Sequence, residues 1–141
     1  MKGVIIKKIE PVHSDDRGVI SDLLNEKINH VGLITTTKGS VRGNHYHKKS
    51  IQYSYILSGK FEVLVAAVDE LDEKEKIILN SGEIIIIEPG IVHTFKAIED
   101  SDMIDMISES RDGEGYEEDT IKNVGLSFED DTSMQTVAPG E

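Results

Sequence analysis

Two short stretches constrain this chain more than the rest of its sequence. The first, Gly39 to Gly59, reads GSVRGNHYHKKSIQYSYILSG and carries His45, His47 and Gln52 at fixed offsets. Side chains two apart on a β-strand share a face, so an extended Ser40 to His47 projects both imidazoles into one space. A turn at Lys48-Lys49-Ser50 then starts an antiparallel partner strand carrying Gln52 toward that space. The second stretch, from Gly82, holds the apolar run Ile84 to Ile87, a Pro89-Gly90 turn and His93. Proline presets φ for a turn and glycine tolerates positive φ, so the chain reverses just before that histidine.

Around these stretches the pattern is that of short strands and turns. Val4 to Ile9 reads as an edge strand closed by Pro11, and Ser14 to Gly18 as a turn leading into a strand over Val19 to Leu24. Asn25 to His30 reads as a loop. Val31 to Thr37 is rich in β-branched residues and reads as a strand. Phe61 to Val68 pairs back as a hairpin, Asp69 to Lys76 is a charged loop, and Ile77 to Leu79 is a short strand. His93 to Ile98 and Met103 to Ile107 complete the set. About nine or ten such strands without a helical period predict an all-β sandwich or barrel.

Composition narrows the functional classes. With 27 acidic against 15 basic residues the net charge is −12, which argues against nucleic-acid binding, although a local basic patch can still hold a diphosphate. There is no cysteine, so disulfides and thiolate metal ligands are excluded. No run approaches the roughly 18 apolar residues of a membrane span. The start, MKGVIIKKIE, is too charged for a secretory signal, and a cytoplasmic location is expected. One barrel is expected over residues 1–110. Residues 111–141 form an acidic segment that Ile121, Val124, Leu126 and Phe128 would partly dock, with a mobile end from Glu129 onward.

The order Gly-x5-His-x-His-x4-Gln-x6-Gly, then Gly-x7-Gly-x2-His, resembles the two motifs of the cupin superfamily, covering Gly39–Gly59 and Gly82–Ala97. Gln52 stands where cupins usually carry a glutamate, and Glu88-Pro89 shifts the usual proline by one position. The resemblance implies an RmlC-like double-stranded β-helix, or jelly roll. A second layer, Asp15-Asp16-Arg17-Gly18 followed by Arg42-Gly43-Asn44-His45-Tyr46-His47-Lys48, resembles the cupins that modify nucleotide-linked sugars. Among these are the dTDP-4-keto-6-deoxyglucose 3,4-ketoisomerases and the cupin domains of capsular-polysaccharide enzymes. That resemblance implies proton abstraction beside a keto group by His45 or His47, with Arg17, Arg42 and Lys48 as candidate substrate-binding residues.

Two features of the residues stand beside it. Three imidazoles and one amide oxygen, from His45, His47, Gln52 and His93, form a candidate ligand set for a divalent metal, with Zn, Fe, Mn, Ni and Cu all admissible. By alternation, Tyr46 points away from His45 and His47, and Tyr53 and Tyr55 point away from Gln52. That leaves Tyr116 of the acidic segment as the remaining tyrosine for a proton donor. His13 and His30 fit no pattern. Three classes stay open: an isomerase or epimerase of a nucleotide-linked keto-sugar, a metal-dependent cupin enzyme such as an oxygenase or lyase, and a non-catalytic ligand-binding cupin. The apolar Val4-Ile5-Ile6 run and the outward Tyr53 and Tyr55 need cover, which predicts a two-fold homodimer.

Overall fold

A computed structural model describes residues 1–110 and 118–128. Tyr116 and the expected mobile end from Glu129 onward lie outside these. Twelve strands are present among the described residues: β1 (Val4–Lys8), β2 (His13–Asp15), β3 (Gly18–Ile20), β4 (His30–Thr36), β5 (Val41–His47), β6 (Gln52–Ser58), β7 (Lys60–Ala67), β8 (Glu75–Asn80), β9 (Glu83–Ile87), β10 (Ile91–Ala97), β11 (Ser101–Ile107) and β12 (Thr120–Lys122). One five-stranded sheet has the order β1-β9-β6-β11-β4, the other β12-β5-β10-β7-β8, and β2-β3 is a separate hairpin. All the pairings are antiparallel. The expected jelly roll is the fold observed.

Alternation along the strands builds the core between the sheets. Ile56, Ile85, Ile87 and Met103 of the first sheet meet Phe61, Val63, Val65, Leu79, Ile91, Phe95 and Ala97 of the second. Phe61 and Phe95 stack edge to face at 5.6 Å, a geometry that adds to the area they bury. This apolar layer fills one end of the barrel and leaves the other end to polar side chains.

Both outer faces are partly covered by the chain itself. On the second sheet, Leu126 and Phe128 pack on Leu64, Ala66 and Val92. They are anchored where Asn44 Oδ1 accepts the Leu126 N–H at 2.8 Å and Thr94 Oγ1 donates to the Leu126 carbonyl at 2.7 Å. On the first sheet, Tyr53, Ile84 and Met106 are covered by Ile9, Leu24 and Ile28. Part of the cover for Tyr53 therefore comes from the N-terminal segment of the same chain, where the sequence predicts cover from a dimer interface. The strand expected over Val19 to Leu24 stops at Ile20, because Leu24 turns in to join that cluster. β8 begins at Glu75, and the charged loop before it contains a 3-10 turn at Leu71–Glu73.

Candidate functional site

The polar end of the barrel is a cavity of about 390 Å³ whose wall includes Arg42, His45, His47, Gln52, His93 and Asp105. A break in strand register creates it. β5 and β10 pair His93 with His45 but Thr94 with Gly43, so Asn44 is an extra residue on β5. A β-bulge of this kind shifts the alternation by one. Arg42 consequently faces Phe95 and lines the cavity on the same side as His45 and His47, where unbroken alternation would point it outward. Gly43 at φ 109° and Asn44 at φ 61° take the positive φ that the bulge demands.

The three histidines converge. Ring centroids lie 5.3 Å apart for His45 and His47, 4.6 Å for His45 and His93, and 5.6 Å for His47 and His93. One nitrogen from each lies within 4.8 Å of the other two. Gln52 joins them: its Oε1 accepts from His47 Nε2 at 3.0 Å, and its Nε2 donates to Ser54 Oγ at 3.0 Å. Ser54 Oγ in turn donates to Asp105 Oδ1 at 2.7 Å. A buried polar chain thus runs from His47 to Asp105, with each amide and hydroxyl along it satisfied.

Asp119, which sequence reasoning missed, holds the other side of His47. β12 pairs Thr120 with His47, bringing Asp119 Oδ2 to 3.3 Å and Thr120 Oγ1 to 3.2 Å from His47 Nδ1. The same carboxylate accepts from Lys49 N at 2.6 Å, Ser50 N at 3.2 Å and Ser50 Oγ at 2.6 Å, pinning the β5–β6 turn. Burial pushes the Asp119 carboxyl upward, but the Ser50 and Lys49 hydrogen bonds and the nearby His47 outweigh it and hold its pKa below the ordinary value.

His93 is buried and neutral. Burial, then the charges of His45 and His47, push its pKa well below 6.5, against a smaller opposing hydrogen bond. Its Nδ1–H donates to the Ile91 carbonyl at 3.0 Å, and its buried Nε2 has no hydrogen-bond partner in the protein. An unfolded chain binds a proton on this ring near pH 6.5, whereas the folded one resists it. Stability is therefore complete above that pH and falls as pH drops below it. The melting temperature of chelator-treated protein is expected to decline from about pH 7 to 5. His93→Gln should make the decline shallower, and an unchanged slope would contradict the burial argument.

The remaining candidate residues are dispersed. Arg42 lines the cavity, fixed by Nε to Thr36 Oγ1 at 3.0 Å and by a terminal N–H to the Thr35 carbonyl at 2.8 Å. Lys48 is exposed in the β5–β6 turn. Arg17 sits in the exposed β2–β3 hairpin, where its guanidinium and His13 hold Asp15 at a pKa of about 2. Tyr46 packs in the outer cluster of the second sheet, and Tyr53 and Tyr55 in that of the first.

No curated protein matches this chain by sequence. Among solved structures, a double mutant of the QdtA 3,4-ketoisomerase from Thermoanaerobacterium thermosaccharolyticum, in complex with TDP, is 25% identical with a TM-score of 0.71, covering 99% of each chain. Another variant of that enzyme, in complex with TDP-4-keto-6-deoxyglucose, is 23% identical at a TM-score of 0.71 over 99% of each chain. ChmJ, a 3'-monoepimerase from Streptomyces bikiniensis in complex with dTDP-quinovose, is 17% identical with a TM-score of 0.72 over 92% of this chain and 76% of its own. The family model described as the cupin domain matches residues 32–106. That span holds β5 through β10 with all three clustered histidines, and the chain belongs to the cupin domain family.

Proposed function

We propose that this protein is an isomerase or epimerase of a nucleotide-linked keto-sugar, with the histidine cluster as its proton-transfer machinery. The observation that carries this reading is His47, held between Gln52 and Asp119 inside a cavity that Arg42 also lines. The ketoisomerase and epimerase structures of the same fold, with their TDP-linked ligands, support it. His45, the least buried of the three histidines, takes the proton from the carbon beside the ketone. The C–H electron pair becomes the C=C bond of an enediol as the keto oxygen gains a proton. Return of a proton to carbon restores the ketone at the neighbouring position, or the same ketone with an inverted centre. His47 is a positioning residue, since Asp119 and Gln52 fix its ring against His45. Arg42 uses only part of its donor set on Thr35 and Thr36, leaving guanidinium N–H groups to meet a diphosphate.

Deuterium wash-in from D2O at the carbons flanking the ketone, over a panel of nucleotide-linked keto-sugars, tests the reading. Incorporation with at least one sugar is expected, and none with any sugar would overturn it.

The cluster also fits a divalent ion. The partnerless, buried His93 Nε2 is a lone pair aimed among donors of the right type. His45, His47 and His93 would hold the ion, and Gln52 would serve as fourth donor once its oxygen leaves His47. A bound ion would polarise the keto oxygen as a Lewis acid. Gln52→Glu restores a charged oxygen donor and is expected to tighten binding, read by calorimetry on chelator-stripped protein. Equally weak binding in both forms would leave proton transfer to the histidines alone.

The outer face of the first sheet bears on assembly. Val31 and Leu33 lie side by side on the outer face of the edge strand β4 and are 63% and 65% exposed. Apolar patches of this kind mark interaction sites, and a two-fold homodimer through this face is proposed. Light scattering should give twice the chain mass, and Leu33→Asp should shift it toward one. A single-chain mass for the unaltered protein would reject the dimer.

A further inference from the structure

The isomerisation proposed above needs a group on the oxygen side of the substrate, and no tyrosine lines the cavity among the described residues. The inner face of β4 supplies another candidate. Along β4 the half-buried residues His30, Gly32 and Ile34 alternate with the exposed Val31, Leu33 and Thr35. Ile34 lines the cavity, so its face is the inner one. His30 is the strand neighbour of Ile107, which also lines the cavity, and Ile107 is in turn the neighbour of Gln52. His30 and Gln52 therefore stand on one rung of the first sheet, two strands apart, or about 10 Å between backbones.

The next rung inward pairs Gly32 with Asp105. Gly32 offers no side chain, and the His30 ring occupies the space: a Cβ there would lie 3.2 Å from Cε1 and 3.9 Å from Nε2 of His30. The imidazole is thus folded inward along the strand. Its Nδ1 is buried with no hydrogen-bond partner in the protein. Buried polar atoms are normally paired, and one left unpaired calls for an explanation.

We infer that His30, which stands beside the cavity-lining Ile34 and Ile107, is a catalytic residue, the proton-handling group that faces the keto oxygen across from the His45–His47–His93 cluster. This rests on the keto-sugar reading and deepens it. As His45 takes the proton from carbon, a His30 N–H donates to the carbonyl oxygen, whose C=O π pair becomes the new O–H bond. The ring nitrogen so bared accepts the proton of the adjacent hydroxyl when the ketone re-forms next door. His30 and His45 then both return to their starting state, and the substrate gains or loses no atom.

The test compares His30→Phe, which keeps ring volume and removes the unpaired polar atom, with His30→Gln, which keeps a neutral donor and acceptor. The probe is TDP-4-keto-6-deoxyglucose in D2O, with wash-in and turnover measured beside calorimetric binding of TDP and the melting temperature. His30→Phe is expected to lower kcat about a hundredfold, with TDP affinity kept within about twofold and the melting temperature not reduced. His30→Gln should fall between it and the unaltered protein. Full turnover in His30→Phe, or a loss confined to KM, would overturn the assignment while leaving the isomerase reading intact. A loss on Tyr116→Phe matched by none on His30→Phe would move the role to the tyrosine. Absence of wash-in in the unaltered protein with every sugar of the panel would overturn both.

Discussion

Asp119→Asn is expected to lower turnover of a nucleotide-linked keto-sugar about a hundredfold, through loss of the group that orients His47. The carboxylate stands 3.3 Å from His47 Nδ1 and accepts three further hydrogen bonds from Lys49 and Ser50. An asparagine keeps the size but can present its oxygen to only part of this set. Its amide N–H groups would then face donors. Hydrogen bonds to a charged group are worth about twice those to a neutral one, so a stability loss of about 1–2 kcal/mol should accompany the kinetic effect. The acid response should change as well. A carboxylate held below its ordinary 3.8 contributes stability above that pH and loses it as pH falls through the depressed value. Asp119→Asn should remove this part of the acid sensitivity. Thermal melts across pH, read beside turnover, would show both effects, and an enzyme of full activity would exclude the orienting role.

Gly43→Ala should be strongly destabilising for a single added methyl. At φ 109° the backbone is in a region L side chains avoid, and the added Cβ would lie 2.6 Å from the His93 carbonyl oxygen and 3.1 Å from Thr94 Cα. Both are backbone atoms of β10 and cannot rotate away. Strain of about 1–3 kcal/mol from φ and a similar cost of overpacking add to roughly 3 kcal/mol or more. Gly82→Ala is the control, since Gly82 has φ 88° but nothing within 4 Å of an added Cβ. It should show only the backbone share. Equal shifts in melting temperature would mean that the bulge tolerates the contact. A larger shift at Gly43, joined to weaker TDP binding, would tie the bulge to the inward aim of Arg42.

What was legible in the sequence followed from local rules. The period of two placed His45 and His47 together, and the turns at Lys48–Ser50 and Pro89-Gly90 brought Gln52 and His93 to them. The apolar run Ile84 to Ile87 read as a buried strand because it is one, with Ile85 and Ile87 inside and Ile84 beneath Tyr53. The same period alone would aim Arg42 outward, since it takes one extra residue at Asn44 to invert the alternation, and the trace of that residue in the sequence is the pair Gly43-Asn44. Asp119 was hidden for a different reason. It stands among other acidic residues, and nothing local in the sequence separates the carboxylate that reaches His47 from that of the exposed Glu118. His30 has no motif at all: its place depends on a rung of pairing across three strands.

The position of β12 sets an order on assembly. The strands from β1 through β11 are all synthesised before residue 108, and their side chains alone make up the core between the sheets. A barrel can therefore close around the cavity while His47 still lacks Asp119 and Thr120. The three-residue β12 lies on an edge and pairs with β5 alone, so the site can mature after the fold. Amides of β12 should exchange with solvent far faster than those of β7 or β10, because a short edge strand opens without the barrel opening. Each such opening would release His47 from its carboxylate, making the competence of the site a local equilibrium within a barrel that stays closed.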